Sequence, residues 1–155
     1  MDRPREGLSG FDIRLQTDRF AIRTLHADDV GSTYLAWFED PVVQRFIAWR
    51  PKSDTISELR EFVDGHDARN DSLLLGIFSD DGRHVANLKY EPIDLEKRTA
   101  ILGVLIGDPA WRGRGLFAEV FAPTSVLLRE RFGISTVRLG VDGENTAAML
   151  TTVES

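Results

Sequence analysis

The chain contains no cysteine among its 155 residues. This absence excludes disulfide scaffolds, thiolate zinc sites, iron–sulfur clusters and a cysteine nucleophile. The sequence also lacks any apolar run near the ~18 residues that a membrane span needs. Residues 1–10 carry both charge signs and no apolar segment typical of a secretion signal. We therefore expect a cytoplasmic protein with no membrane partner.

Basic residues are also scarce, because 19 Lys and Arg stand against 25 Asp and Glu and give a net charge of −6. An acidic chain disfavours nucleic-acid binding, which depends on neutralising phosphates. The three histidines, His26, His66 and His84, are too far apart in sequence to suggest a metal site. The length predicts a single domain over 11–155 after a flexible segment at 1–10.

Hydrophobic periodicity predicts a mixed α/β fold. Three consecutive strands joined by short polar turns favour antiparallel pairing, and the strand–helix–strand unit over 99–141 favours one right-handed parallel crossover. We expect helices on both faces of the sheet. The predicted strands are 11–15, 20–25, 73–78, 84–90, 99–106 and 137–141, and the predicted helical segments are 27–38, 42–47, 55–68, 116–132 and one starting at Asn145.

The most informative segment is 111–117, where two glycines and two arginines lie between an apolar strand and a long helix. A helix start presents unpaired N–H groups and partial positive charge, and glycines let the backbone approach a ligand. These features predict a phosphate or diphosphate site. The segment matches neither the P-loop nor the GxGxxG pattern. The alternative is a solvated turn that only begins a helix.

The same segment resembles the acetyl-CoA diphosphate loop of the GNAT superfamily of N-acetyltransferases, whose pattern is Gln/Arg-x-x-Gly-x-Gly/Ala. Arg112 and Gly115 fit that pattern, and Phe117 departs from its small last residue. Further segments resemble the RimJ/RimL-like branch in the same order along the chain. They are 17–25, 37–46, 76–78, 88–94, 103–108 and 145–148.

The resemblance implies that acetyl-CoA is the cosubstrate and that no metal is needed. The strand ending at 105–107 would splay from the strand at 137–141, so that pantetheine pairs with the open backbone. Asn145 would touch the pantetheine arm, with a helix N-cap as an equal alternative. The residues implied to bind the cosubstrate are Leu105, Ile106, Gly107, Arg112, Gly113, Arg114, Gly115, Leu116, Phe117 and Asn145.

The proton carriers that the resemblance leads one to expect are missing. Ile101 stands where the RimL-like pattern has Glu, Ala148 where it has Ser, and Thr152 near the place of a Tyr used elsewhere in the superfamily. Glu91 is the candidate general base, with Asp94 and His84 as competitors. A surface carboxylate at a strand end is the alternative for Glu91.

Four residues are candidates for the acceptor pocket: Phe46, Trp49, Arg50 and Tyr90. Packing in the core or in a lid is the alternative role for them. The acceptor would be a primary amine, either a protein N-terminus, as the RimL-like resemblance implies, or an amino sugar. The second choice rests on residues 87–94, which also resemble acetyltransferases of surface-sugar biosynthesis.

The C-terminal end of the sequence adds a structural expectation. In the family a last strand follows the helix that begins at Asn145, and here nothing follows Ser155. The sheet would then lack its last strand, so that either the chain is truncated or a partner, such as a second copy in a homodimer, completes it. Two other functions stay open: a non-catalytic CoA-binding module and a nucleotide-binding domain.

Overall fold

The computed structural model describes residues 12–46, 55–67, 69–139 and 149–152. Seven strands of these ranges form one sheet and lie in chain order. Every neighbouring pair is antiparallel except β5 and β6, which are parallel. The strands are β1 (Arg14–Gln16), β2 (Phe20–Thr24), β3 (Leu73–Ser79), β4 (His84–Asp94), β5 (Thr99–Ile106), β6 (Thr136–Leu139) and β7 (Met149–Thr152).

Helices cover both faces of this sheet, as the sequence predicts. One face packs against α4 and the other against α1, α2 and α3, and each face has its own apolar cluster. Strand β3 contributes to both clusters, because alternate side chains of a strand point to opposite faces. The helices are α1 (Ser32–Trp37), α2 (Pro41–Phe46), α3 (Ile56–Asp67) and α4 (Leu116–Phe132).

Helix α4 makes the single parallel crossover between β5 and β6. It begins after Gly115 and ends at Gly133, and both glycines have positive φ angles, 78° and 73°. A residue without Cβ adopts this left-handed conformation at little cost. Pro123 lies inside the helix, and the hydroxyl of the next residue, Thr124, donates to the carbonyl of Val120 at 2.9 Å. The predicted bounds of this helix are confirmed.

The predicted helix over 27–38 is instead two shorter elements. A 3₁₀ turn at Ala27–Asp29 precedes α1, and Gly31 between them is extended, with φ −145°. The Asp29 carboxylate accepts from the backbone of His26 and from the Arg23 side chain, which fixes the turn. The prediction of one helix rested on hydrophobic spacing, which contains no information about these two polar contacts.

Two further boundaries differ from the prediction. Strand β4 continues to Asp94 through an irregularity between Tyr90 and Ile93 that contains a cis Glu91–Pro92 peptide bond. Strand β7 pairs antiparallel with β6, so residues 149–152 are not helical. The predicted helix starting at Asn145 therefore does not cover 149–152, and β7 adds a strand beside β6 that the sequence analysis did not predict. Asn145 and the segment 1–10 lie outside the described residues.

Candidate active site

The described pairing between β5 and β6 covers only the first half of β5, because β6 is described up to Leu139. Their pairing runs from Thr99 opposite Thr136 to Leu102 opposite Leu139. Beyond that point the second half of β5, from Gly103 to Ile106, pairs with β4 but has no partner on its other side among the described residues. This open edge is where the sequence analysis expects the strands to splay.

The backbone of β5 alternates between its two sides. The N–H of Gly107 donates to the Val85 carbonyl of β4 at 3.0 Å. In an antiparallel pair every second residue bonds to the same neighbour, so Leu105 also faces β4, whereas Val104 and Ile106 face the open edge. Of Leu105, Ile106 and Gly107, only Ile106 therefore faces the open edge, and its carbonyl already accepts hydrogen bonds from Arg112.

Gly107 has a packing role that the sequence did not reveal. A Cβ at this position would lie 1.9 Å from the Trp37 ring, so any other residue would displace that ring. Trp37 belongs to α1 and is 4% exposed. The absence of a side chain at Gly107 thus lets α1 pack on the end of β5. This contact lies directly before residues 111–117, which we call the Gly/Arg segment.

The segment from Gly113 to Phe117 presents unused backbone donors. Gly113 and Gly115 have φ angles of 72° and 78°, and α4 starts at Leu116. No carbonyl or side chain of the described part of the chain accepts a hydrogen bond from these five amides; the first helical bond donated back to the segment runs from Glu119 N to the Gly115 carbonyl. The role of these amides as an anion site stays a prediction.

The turn between β1 and β2 fixes this segment from one side. Arg19 donates to the Arg114 carbonyl at 3.1 Å and to the Glu119 carboxylate at 2.6 Å. Glu119 also accepts from the Thr17 hydroxyl and from the Arg19 backbone N–H. Burial alone would raise the pKa of Glu119, but these hydrogen bonds together lower it. A carboxylate at the helix start is thereby neutralised by Arg19.

The two arginines of the segment have different surroundings. Arg112 turns inward, donating to the Ile106 carbonyl at 2.9 and 3.1 Å and to the Asp40 carboxylate at 3.0 Å. Arg114 is exposed, with its guanidinium carbon 4.6 Å from the centre of the Trp111 ring. No carboxylate of the described residues pairs with Arg114. Arg114 is therefore the more available of the two charges.

Glu91 lies on the opposite side of β5 from the open edge, at nearly the same level. It follows Tyr90, which is opposite Leu102, the last β5 residue that pairs with β6. Its carboxylate accepts from the Ser72 hydroxyl at 2.9 Å and from Arg69 at 2.8 Å, and one ring nitrogen of His66 lies 3.1 Å away. The role of Glu91 as the base stays a prediction.

His84 and Asn87 form a buried polar pair that the sequence analysis did not predict. The His84 ring is 5% exposed and packs among the rings of Tyr34, Trp37 and Phe78. One ring nitrogen lies 2.7 Å from the Asn87 side-chain oxygen, and the other has no partner. Burial lowers the pKa of His84 to about 4. Only its place in a strand could have hinted at burial.

Of the remaining predicted residues, Tyr90 is buried, and the side chains of the others lie outside the described residues. Tyr90 is 0% exposed and belongs to the cluster under α4, where its hydroxyl contacts Thr124 at 2.7 Å and Ser125 at 3.1 Å. Its ring faces away from α1–α3 and from solvent, and its role as an acceptor-binding residue stays a prediction. Trp49, Arg50, Asn145 and the side chain of Phe46 lie outside the described residues.

Two negative findings apply to the described residues. None of the helices is both long enough and apolar enough to cross a bilayer. No group of three or more His, Cys, Asp or Glu side chains in these ranges is placed to hold a metal ion. Neither finding bears on the parts of the chain that are not described.

Comparison with solved structures finds the same fold in several acetyltransferases. RimL, a ribosomal L7/L12 alpha-N-protein acetyltransferase solved with coenzyme A, has a TM-score of 0.73 at 17% identity, over 86% of this chain and 77% of that one. The ribosomal-protein-S5-alanine acetyltransferase of Vibrio fischeri has a TM-score of 0.69 at 12% identity, over 84% and 74%. The microcin C7 self-immunity acetyltransferase MccE, solved with acetyl-CoA and AMP, has a TM-score of 0.71 at 17% identity, over 83% and 72%.

The chain covers 66 to 78% of the lengths of the solved structures it matches. A sequence comparison with curated proteins finds no match. The family model for the acetyltransferase (GNAT) domain matches residues 19–150, which include β2 to β6, the open edge of β5 and the whole Gly/Arg segment. The chain therefore belongs to the GNAT acetyltransferase family.

Proposed function

We propose that this chain acetylates a primary amine, taking the acetyl group from acetyl-CoA while both substrates are bound. The observation that carries the proposal is the row of outward amides from Gly113 to Phe117 beside the open half of β5. An anion binds such amides favourably because helix dipole and N–H groups act together. Family membership supports acetyl-CoA as the source of that anion.

The residues present fit the two recognisable parts of acetyl-CoA. The amides of the Gly/Arg segment suit the diphosphate, and exposed Arg114 adds a formal charge. The Val104 backbone and the Ile106 N–H on the open edge suit an amide-bearing arm, which would pair with the strand as an added strand does; the Ile106 carbonyl is already held by Arg112. Acetyl-CoA supplies the acetyl group as a thioester.

The transfer needs a neutral amine and a donor for the oxyanion that forms during attack. The open-edge N–H groups of β5 are the natural oxyanion donors, since they are fixed by the sheet. Glu91 is the proposed base, acting on the amine directly or through water. Its carboxylate faces α3, on the same side of the sheet as α1 and α2.

For the acceptor we favour a protein N-terminus. The support is the likeness of this chain to RimL and to the Vibrio fischeri enzyme, both of which are named as acetyltransferases of ribosomal proteins. An amino sugar is the alternative, on the resemblance of residues 87–94. A non-catalytic CoA-binding module is the second function, favoured by the engagement of the Glu91 carboxylate with Arg69 and Ser72.

The test mixes the protein with acetyl-CoA and two classes of amine, unblocked N-terminal peptides and amino sugars, and measures the release of free thiol. Thiol release that depends on one amine class supports the enzyme and identifies the acceptor. Tight CoA binding by calorimetry without release from either class would instead favour the binding module. Weak CoA binding would contradict both.

A matched pair of variants tests the site itself. Gly113 and Gly82 both have positive φ, and a Cβ at either position would meet no atom within 4 Å. Gly113→Asp places a negative charge beside the free amides, so CoA affinity should fall tenfold or more, at about 1.4 kcal/mol for each tenfold. Gly82→Asp carries the same backbone cost in the β3–β4 turn, outside the Gly/Arg segment, and should leave the affinity unchanged. Equal affinity in both variants would contradict the proposed site.

A further inference from the structure

The side chain of Arg112 is engaged by the protein's own atoms on two different elements. It donates to the Ile106 carbonyl through Nε at 3.1 Å and Nη2 at 2.9 Å, and Nη2 also contacts Asp40 Oδ2 at 3.0 Å. The Arg112 side chain is 28% exposed and the Asp40 side chain 22%. Such a fork of donors suits two acceptors held in fixed positions better than a mobile ligand.

Asp40 is itself the junction between two helices. Its other carboxylate oxygen accepts from the Val42 N–H at 2.9 Å, and its carbonyl accepts from Gln44 at 3.0 Å, so it caps the start of α2. Its backbone N–H donates to the Trp37 carbonyl at the end of α1. The hydrogen bond from Val42, followed by Arg112, lowers the pKa of Asp40 despite its desolvation.

The junction meets the cofactor side of the sheet at two points. One is the contact of Trp37 with Gly107, where no Cβ is tolerated. The other is the bridge from Asp40 through Arg112 to Ile106. Helix α2 then runs from this junction to Phe46, where the segment predicted to line the acceptor pocket begins.

We propose that Arg112 is a positioning residue, which holds the α1–α2 junction against the open end of β5 rather than binding the cosubstrate diphosphate. This inference rests on the proposed function for the roles of β5 and of the Gly/Arg segment. In this arrangement Arg114 provides the charge for the diphosphate. Arg112 fixes the start of α2 and, through it, the acceptor side of the site.

The experiment uses two readouts: CoA affinity by calorimetry, and hydrogen exchange of the α2 amides in the protein without CoA. Arg112→Gln should raise α2 exchange about fivefold or more, because the charge that pairs with Asp40 is lost, and Arg112→Lys, which keeps that charge, should raise it less. Their CoA affinity should change less than about threefold. Arg114→Gln should weaken CoA binding about fivefold or more and leave α2 exchange unchanged.

Two further variants complete the design. Asp40→Asn keeps a good N-cap for α2 and weakens only the bridge, so its effect on exchange should not add to that of Arg112→Gln in the double variant. Arg83→Gln removes another arginine–aspartate pair near the segment, with Asp108, and should leave α2 unaffected. If Arg112→Gln weakens CoA binding at least as much as Arg114→Gln, or leaves α2 exchange unchanged, the proposal is overturned. Failure of the unaltered protein to bind CoA would contradict the proposed function, whereas the exchange readout would still test the bridge.

Discussion

At the scale of single residues, Glu91 and Asp71 form a natural comparison, because both carboxylates contact Arg69. Of the two, only Glu91 directly follows Tyr90, which is opposite Leu102, the last β5 residue paired with β6 among the described residues. Glu91→Gln should therefore lower kcat about 100-fold while CoA affinity stays the same, as loss of a general base does. Asp71→Asn should change kcat little. Steady-state kinetics checks both, and an equal loss in the two variants would assign the effect to Arg69 instead.

His84 predicts a dependence of stability on pH. Its ring is held neutral in the native state down to a pKa of about 4, whereas an unfolded histidine takes up a proton near 6.5. Between these values the unfolded state binds more protons, so the free energy of unfolding should fall as the pH drops from 6.5 to 4, by about 1.4 kcal/mol per unit. Urea unfolding across this range measures the slope, and His84→Gln should flatten it. A flat profile in the unaltered protein would contradict this account.

Contacts between residues that are adjacent in the chain were predictable from the sequence, and contacts between distant residues were not. The Gly/Arg segment was predicted because its glycines, arginines and helix start are adjacent in the chain. The partners of Arg112 and Gly107 were not predictable in that way, since Asp40 and Trp37 lie about 70 residues earlier. The burial of Tyr90 under α4 was not predictable either, because a strand pattern does not tell which face packs under a helix.

At the scale of elements, helices with local end signals were predicted well. Thr55 accepts from the Glu58 N–H at 3.2 Å at the start of α3, and Gly133 ends α4. The segment 27–38 lacks such signals in its interior, and there the contacts of Asp29 and the extended Gly31 divide one predicted helix into two elements. Element ends were therefore predictable where the signal is a side chain next to the end.

The packing of α4 on β4 provides the next prediction. The Tyr90 hydroxyl contacts Thr124 and Ser125, and the Tyr34 hydroxyl bonds Asn87 on the other face. Tyr90→Phe should lower the free energy of unfolding by about 1 kcal/mol, because one buried hydrogen-bond partner is lost. Its kcat/KM should stay within about twofold of the unaltered protein. Tyr34→Phe is the matched loss of a buried hydroxyl; a rise in the KM for the amine in Tyr90→Phe alone would support an acceptor role for Tyr90.

At the scale of the whole molecule, the mixed sheet, its single crossover and the helices on both faces followed from hydrophobic periodicity and connection rules. The apolar strand β3 contributes side chains to the clusters on both faces of the sheet. The proposed site was predictable only on its cofactor side, which is contiguous in sequence. The acceptor side that we propose combines α1, α2 and β4, and no local pattern brings these elements together.

A ligand at the proposed site should stabilise the whole domain, because β5, α4 and the α1–α2 junction are arranged around that site only in the folded state. CoA at 100 times its Kd should stabilise the folded state by about 2.7 kcal/mol, which corresponds to roughly 5–10 °C in Tm for a chain of this size. ATP shares the phosphates but lacks the arm that pairs with the open edge of β5, so its shift at the same concentration should be much smaller. Gly113→Asp, with its CoA affinity at least tenfold lower, should reduce the shift at that CoA concentration to about half or less. Thermal unfolding measures all three, and an ATP shift equal to that of CoA would instead indicate a nucleotide-binding domain, because the open edge would then contribute nothing.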